Sequence, residues 1–339
     1  MLRIGTKKRA LAVFTGAMLG AACLSPAAPA ANFYDGKTIT LIVAFAPGGT
    51  ADADGRMIGQ YLARQIPGNP RIVVQNMPGA GGIKAINMAY QIAKPDGLSI
   101  YQLASAHFLQ QLAGSDAVKF DLSKMPMLGA WLHSTYILSV RAAAFKSIDD
   151  IRTAKAPPQI GTQGLGTGTY IYTVAWQQAL GIKFKLVTGY EGNEQTLAVE
   201  RGEIDGRTDT ASAILQRSPE WMKLAPPLVQ NGPERDPLLP NVPTVNDINP
   251  NPGIFWDTIN NALSMDRPYV LPPGTPDERV AELRQAWDNM LKDKDFAAAA
   301  AKRRWTIVPT SYDKVEAFYR KAAHETPPDV IKELKELFP

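Results

Sequence analysis

Apolar and polar positions along this chain fall into short runs punctuated by glycine- and proline-rich loops. Ile39-Thr40-Leu41-Ile42-Val43-Ala44-Phe45 is a continuous apolar, largely β-branched run that breaks directly into Ala46-Pro47-Gly48-Gly49-Thr50-Ala51-Asp52. Residues 54–64 then place Met57, Ile58, Tyr61 and Leu62 at helical spacing. The pattern predicts strand, tight loop and helix, with Pro47 and the two glycines ending the strand and Thr50 or Asp52 capping the helix. The same grammar recurs in a strand at 71–74, a loop from Gln75 to Gly82 and a helix at 83–93. After the turn Lys94-Pro95-Asp96-Gly97 comes a third strand at 98–103. Strands alternating with helices predict a largely parallel sheet with helices on both faces.

The middle of the chain repeats this grammar. Strands are expected at 136–140 and 159–161, and a short helix at 148–155. The glycine-rich loop Thr162-Gln163-Gly164-Leu165-Gly166-Thr167-Gly168-Thr169 opens a helix at 170–180. A strand at 184–188 leads into Gly189-Tyr190, a helix follows at 194–201, and Ile204-Asp205 starts another strand. From Pro219 the prolines multiply through Pro252, which predicts a long irregular crossing between domains. Beyond Pro272-Pro273-Gly274-Thr275-Pro276, Asp277 is expected to cap an amphipathic helix carrying Val280, Leu283, Ala286, Trp287 and Leu291, and two further helices at 312–323 and 329–337 end the chain.

Residues 1–31 read as a secretory signal peptide. Arg3, Lys7, Lys8 and Arg9 precede an apolar stretch at 10–24, and Ala28-Pro29-Ala30 fits a small-x-small cleavage site, so cleavage is expected after Ala30 or Ala31. Cys23 follows Gly20-Ala21-Ala22, but the leucine of a lipoprotein signal is displaced to Leu19, which disfavours lipid anchoring. The leader carries four of the 36 Lys and Arg residues and none of the 32 acidic ones, so the mature chain has 32 of each sign. The basic balance of the full chain therefore gives no argument for nucleic acid. The mature chain also lacks cysteine, which excludes disulfides and thiol chemistry and suits an oxidising periplasm.

Candidate chemistry is confined to loops. A helix that follows a strand through a glycine loop aims N–H groups at an arriving anion. This makes Phe45, Pro47, Gly48, Gly49, Thr50 and Asp52 candidate ligand contacts. The loop lacks the third glycine of a dinucleotide site and the Gly-Lys-Ser/Thr of a P-loop. Gly81 belongs to the second loop, and Gly164, Gly166, Thr167, Gly168 and Thr169 form a possible anion cradle without a fixed charge. His107 lies just past a strand end; His133 and His324 stand apart from it, so no metal site is expected. Asp205 and Asp209 bracket a strand end and are candidates to bind a ligand amine or a helix N-terminus. Trp131, Tyr136, Tyr170 and Tyr190 are candidate cleft walls, with core packing the alternative. No Gly-x-Ser-x-Gly or His-Glu-x-x-His motif occurs. No catalytic residue and no cofactor is expected.

The motifs Val43-Ala44-Phe45-Ala46-Pro47-Gly48-Gly49-Thr50-Ala51-Asp52 with Arg56, Gln75-Asn76-Met77-Pro78-Gly79-Ala80-Gly81-Gly82, Ala93-Lys94-Pro95-Asp96-Gly97, Gly202-Glu203-Ile204-Asp205, Leu239-Pro240-Asn241-Val242-Pro243-Thr244-Val245 and Pro272-Pro273-Gly274-Thr275-Pro276 occur in that order. In this the chain resembles the tripartite tricarboxylate transporter substrate-binding proteins, also called Bug proteins, over nearly all its mature length. The resemblance implies an α/β fold of the type II periplasmic binding protein kind, two α/β domains with a ligand cleft between them. The expected domains are 32–136 plus 258–339, and 137–257. It further implies that loops 46–52 and 162–169 face each other and hold a carboxylate by backbone N–H groups, hydroxyls and ordered water. The chain departs from the family in having Gly168-Thr169 followed by Tyr170-Ile171-Tyr172 where Gly-Ser and a histidine are common. Residues 214–237 also lack the usual helix and lysine-rich turn.

The function expected is a monomeric periplasmic solute-binding protein that captures a small organic anion, a mono- or dicarboxylate, for the integral membrane subunits of a tripartite transporter. Two alternatives stay open. A secreted hydrolase or isomerase would draw its nucleophile and base from Thr50, Asp52 and His107. A ligand-sensing partner of a membrane receptor would need the same closed form.

Overall fold

In the computed structural model, residues 1–2, 32–190, 194–217, 220–232 and 234–338 are described. The expected leader from residue 3 to 31, with Cys23 and the cleavage site, lies outside them. Phe33–Pro339 forms one compact unit, and everything below concerns that unit.

The strands are β1 (Thr38–Val43), β2 (Arg71–Asn76), β3 (Ser99–Gln102), β4 (Met127–Leu132), β5 (Tyr136–Val140), β6 (Gln159–Gly161), β7 (Lys185–Val187), β8 (Gly206–Thr210), β9 (Pro227–Gln230), β10 (Tyr269–Val270) and β11 (Ile307–Ser311). They form a six-stranded sheet in the order β11-β4-β10-β3-β1-β2 and a five-stranded sheet in the order β7-β6-β8-β5-β9. Both sheets are mixed, which corrects the expectation of a largely parallel one. β1 is parallel to β2 and β3, whereas β10 runs antiparallel between β3 and β4, and β11 is antiparallel to β4. In the second sheet β6 is parallel to β7 and β8, and β5 is antiparallel to β8 and β9.

The apolar run at 39–45 becomes a strand buried on both faces, as its composition demands. Its period of two divides it between layers. Ile39, Leu41 and Val43 pack with Met57, Ile58 and Leu62 of the Thr50–Leu62 helix, while Ile42 and Ala44 face Ile83 and Ile86.

Several elements escape the sequence pattern. β4, Met127-Leu128-Gly129-Ala130-Trp131-Leu132, is buried at all six positions. It has no β-branched residue and carries a glycine, so neither alternation nor propensity announces it. The proline-rich stretch after Pro219 hides β9. Pro227 is tolerated because it is the first residue of an edge strand, where no ladder N–H is required. Two expected caps also differ. Gly49, not Thr50 or Asp52, is the N-cap of the Thr50–Leu62 helix, and Pro276, not Asp277, precedes the Asp277–Leu291 helix. Asp277 and Glu278 instead occupy its first turn, where their charge complements the helix dipole.

The chain leaves the six-stranded sheet after β4 through residues 133–135 and returns through residues 265–268 to β10. The two crossings are tied together by an antiparallel bridge between Leu132 and Asp266 and by a hydrogen bond from the Ser134 hydroxyl to the Asp266 carboxylate. The expected boundary at 257/258 falls inside the Ile254–Ser264 helix, whose Phe255, Trp256, Ile259, Ala262 and Leu263 are buried.

Candidate functional site

The first loop is held by its own acid. Asp52 accepts from the Gly48 N–H at 2.9 Å, from Arg56 Nε at 3.0 Å and from Asn76 Nδ2 at 3.0 Å, and Asn76 also donates to the Phe45 carbonyl at 3.0 Å. Burial would raise the Asp52 carboxyl, but these hydrogen bonds outweigh it and hold the acid below its ordinary range. Asp52 is thus spent in shaping the turn over Pro47, Gly48 and Gly49. This leaves the first-turn N–H groups of the Thr50–Leu62 helix as the loop's own means of binding an anion.

The second loop is fastened by His107, which is fully buried. Its Nδ1 accepts from the Ala104 N–H at 3.1 Å, so Nε2 carries the proton and donates to the Gly81 carbonyl at 3.0 Å. Burial pushes the imidazole down to about 4 against the pull of that Gly81 bond, and the ring is neutral at pH 7. Gly82 must be glycine here, because its φ is +97° and a Cβ would stand 2.6 Å from His107 Nε2. Both ring nitrogens are engaged by backbone, so His107 positions the loop instead of facing a ligand.

The loop at 162–169 spends most of its hydroxyls on itself. Thr167 caps the Gly168–Leu180 helix, accepting from the Tyr170 N–H at 3.5 Å and donating to the Gly164 carbonyl at 2.7 Å. Thr169 accepts from the Gln163 N–H at 3.2 Å. Gly164 and Leu165 remain exposed at the tip.

The contact across the two sheets runs through the second loop and its neighbour. Gln110 Nε2 donates to the Gly166 carbonyl at 3.2 Å, and a side chain on Gly81 would meet the Leu165 carbonyl at 3.5 Å. The sequence-based expectation had loop 46–52 opposing 162–169. Gly81 of the 79–82 loop stands next to Leu165, and loop 46–52 leaves the adjacent strand β1.

A buried charge cluster, missed from the sequence, lies behind the loops. Asp54 is fully buried and accepts from Trp131 Nε1 at 2.9 Å, Gln102 Nε2 at 2.6 Å and Tyr269 Oη at 2.8 Å. Burial pushes its carboxyl up to about 6, against the pull of Arg267 and of the Tyr269 bond. Arg267 stands in the return crossing with φ +53° and donates from Nη2 to the Thr50 hydroxyl at 3.3 Å. Its Nε faces Asp266 at 3.6 Å. Burial works to discharge the guanidinium, but Asp266 and Asp54 outweigh it and keep it protonated. Its Nη1 is buried without a partner, an arrangement that costs about 1–3 kcal/mol for a polar group. Tyr136, whose phenol burial holds protonated, lies against Gly168 at the start of the other helix and feels the charges of Asp266 and Arg267. One signal for Asp54 was available: it falls on the same helical face as Met57, Ile58 and Leu62. Nothing local marks Arg267 or Gln110.

Of the other candidates, Asp205 and Trp131 lie away from this region, Asp209 is paired with Arg207, and Tyr190 stays beside the 162–169 loop. Asp205 pairs with Arg141 at 3.2 Å and accepts from the Gln159 N–H at 2.9 Å, which puts it at the start of β6, the opposite end from the glycine loop. Asp209 is paired with Arg207, and accepts from the Thr210 N–H at 2.7 Å. Tyr190 borders Gly161 at the end of β6, where its N–H donates to the Thr162 carbonyl at 3.3 Å. Trp131 is a core residue. Thr50, Asp52 and His107 each bond to other partners, and the structure does not assemble them as a nucleophile with its base. Among the described residues no group of three or more His, Cys, Asp or Glu side chains could hold a metal ion.

A family model described as tripartite tricarboxylate transporter family receptor matches residues 56–335. The chain is 26% identical over 311 residues to the UPF0065 protein in the gbd 5' region of Cupriavidus necator, covering 84% of each. The periplasmic binding protein BugD shares the fold with a TM-score of 0.71 at 16% identity, over 90% of this chain and 98% of that one. MatC from Rhodopseudomonas palustris with bound malate does so with a TM-score of 0.68 at 19% identity, over 89% and 99%. The match of the family model over most of the length establishes that the chain belongs to the receptors of the tripartite tricarboxylate transporter family.

Proposed function

We propose that the mature protein is a periplasmic solute receptor that captures a small organic mono- or dicarboxylate between two lobes and hands it to the membrane subunits of a tripartite transporter. The lobes correspond to the two sheets, residues 32–136 plus 258–339 and residues 137–257, with the second limit shifted to the crossing at Met265. The observation that carries the reading is that two helices, beginning at Thr50 and Gly168, follow strands of different sheets, with Arg267 bonded to Thr50, Tyr136 against Gly168, and Gln110 bonded across to Gly166. Helix N-termini favour carboxylates through their free N–H groups and dipoles. Family membership and the malate found in MatC support an organic acid as the ligand. Among the described residues no helix is long and apolar enough to cross a membrane; on this reading the receptor is exported and monomeric.

A thermal-shift screen of the protein lacking residues 1–31 tests this. Malate, adipate, benzoate and related acids are compared with neutral sugars and peptides. A ligand at a hundred times its dissociation constant adds about 2.7 kcal/mol to stability, which moves the melting temperature by several degrees. A shift with sugars or peptides and none with any organic acid would sink the proposal. Turnover of an acid by the purified protein would favour an enzyme instead.

A further inference from the structure

We propose that Arg267 binds the ligand's carboxylate directly and is the residue that makes the cleft select anions over their neutral analogues. The inference deepens the carboxylate-capture reading and rests on it.

The geometry at the return crossing leaves one guanidinium donor for an outside acceptor. Arg267 is 8% exposed and carries its hydrogen bond through Nη2 to Thr50, the first residue of the Thr50–Leu62 helix. Nε faces Asp266, and Nη1 has no acceptor although it is buried. The nearby carboxylates do not need Nη1. Asp266 accepts from Ser134, and Asp54 accepts from Trp131, Gln102 and Tyr269. Both acids keep the guanidinium charged, and Asp266 faces its Nε, while Nη1 is left buried without an acceptor.

That unpartnered donor belongs to a guanidinium bonded to the first residue of a helix, where first-turn N–H groups lack intrahelical acceptors. A carboxylate placed there can set one oxygen on Nη1 and the other on helix N–H groups, a charge-assisted two-point contact. Tyr136 lies against Gly168 at the start of the second helix, and the Gln110–Gly166 bond ties that helix's loop to the first sheet's side of the protein. The Thr162–Thr169 loop carries no charged side chain. On this proposal one end of the ligand is an anion read by Arg267, and the 162–169 loop offers the remainder no charged side chain.

The test uses acid and amide pairs on the protein lacking residues 1–31: benzoate with benzamide, malate with malamide, and adipate with adipamide. Binding is measured by calorimetry for the native protein, Arg267→Gln and Arg267→Lys. The native protein should bind at least one acid and reject its amide. R267Q should lose that acid by about 30-fold or more, or about 2 kcal/mol, and lose its acid-over-amide preference. R267K should recover part of the affinity, because it keeps the charge but not the fork. A purely structural residue would weaken acid and amide alike. If the native protein binds an acid and R267Q binds it within threefold with the same preference, Arg267 is not the reader, though the receptor function stands. If the native protein binds no acid, both readings fall. Should R267Q lack a cooperative melting transition, R267K decides: an unchanged melting temperature with a tenfold loss of acid affinity supports the proposal, and unchanged affinity overturns it.

Discussion

Gln110 Nε2 donates to the main-chain carbonyl of Gly166 at 3.2 Å, and this bond joins the helix that follows β3 of the six-stranded sheet to the glycine loop of the five-stranded one. Both residues are buried. The bond acts as a latch between the proposed lobes, since opening them must break it.

A double-mutant cycle on that pair should show strong non-additivity. Gly166 has φ +75°, and a Cβ there would stand 2.7 Å from Gln110 Nε2. Gly166→Ala should therefore suffer both backbone strain of about 1 kcal/mol or more and a collision with the latch. Gln110→Ala should cost about 1 kcal/mol of closed-state stability, roughly a fivefold shift toward open forms. The double variant should cost less than the sum, because truncating Gln110 removes the collision. Small-angle scattering and ligand affinity report the shift; strictly additive effects would show that the two residues are not coupled.

Asp54 and His107 should act on stability with opposite signs over nearly the same pH range. The Asp54 carboxyl is raised from 3.8 to about 6, so the folded protein holds more protons than the unfolded chain between those values. Stability from this group falls as pH rises through that window, by about 3 kcal/mol in all. His107 is lowered from 6.5 to about 4, so there the unfolded chain holds more protons. Its contribution is complete above 6.5 and is lost as pH falls toward 4, again by about 3 kcal/mol. The two slopes largely cancel in the native protein. Urea unfolding at intervals from pH 4.5 to 7.5 should show Asp54→Asn becoming more acid-sensitive and His107→Gln becoming less so. Identical slopes in all three proteins would disprove the assignment.

Asp52→Ala should damage the first loop while leaving the fold intact. It strips the acceptor from the Gly48 N–H, Arg56 and Asn76 together. The expected loss is about 1–3 kcal/mol of stability, with weaker carboxylate binding because the Gly48–Thr50 turn is no longer fixed. The carboxyl is lowered from 3.8, so its stabilisation is present above that value and disappears as pH falls below it. Comparing melting temperatures at pH 7 and pH 3 checks the sign, and an equal deficit at both would contradict it.

Asp205→Asn should leave ligand affinity within twofold of native. The residue pairs with Arg141 and braces Gln159 at the far end of the second sheet. Calorimetry with whichever acid binds decides this, and a large loss of affinity would return Asp205 to the site.

Local chemistry by itself determined the strand–loop–helix units around residues 39–62, 71–91 and 159–180. Buried-strand composition, helical spacing and glycine at loop ends are all readable within a dozen residues, because they reflect backbone sterics and one element's own faces. The two glycine loops and their order along the chain also pointed to the family. Tertiary structure alone decided which atoms of those loops are free. Asp52 and His107, attractive as ligand contacts in sequence, are consumed by Gly48, Asn76, Ala104 and Gly81. Gln110 and Arg267, unremarkable in sequence, acquire their positions because Gly166 and Thr50 are brought to them from 56 and 217 residues away. Hydrogen-bond competition and the burial of charge depend on which distant segments share a sheet edge, and no local period encodes that.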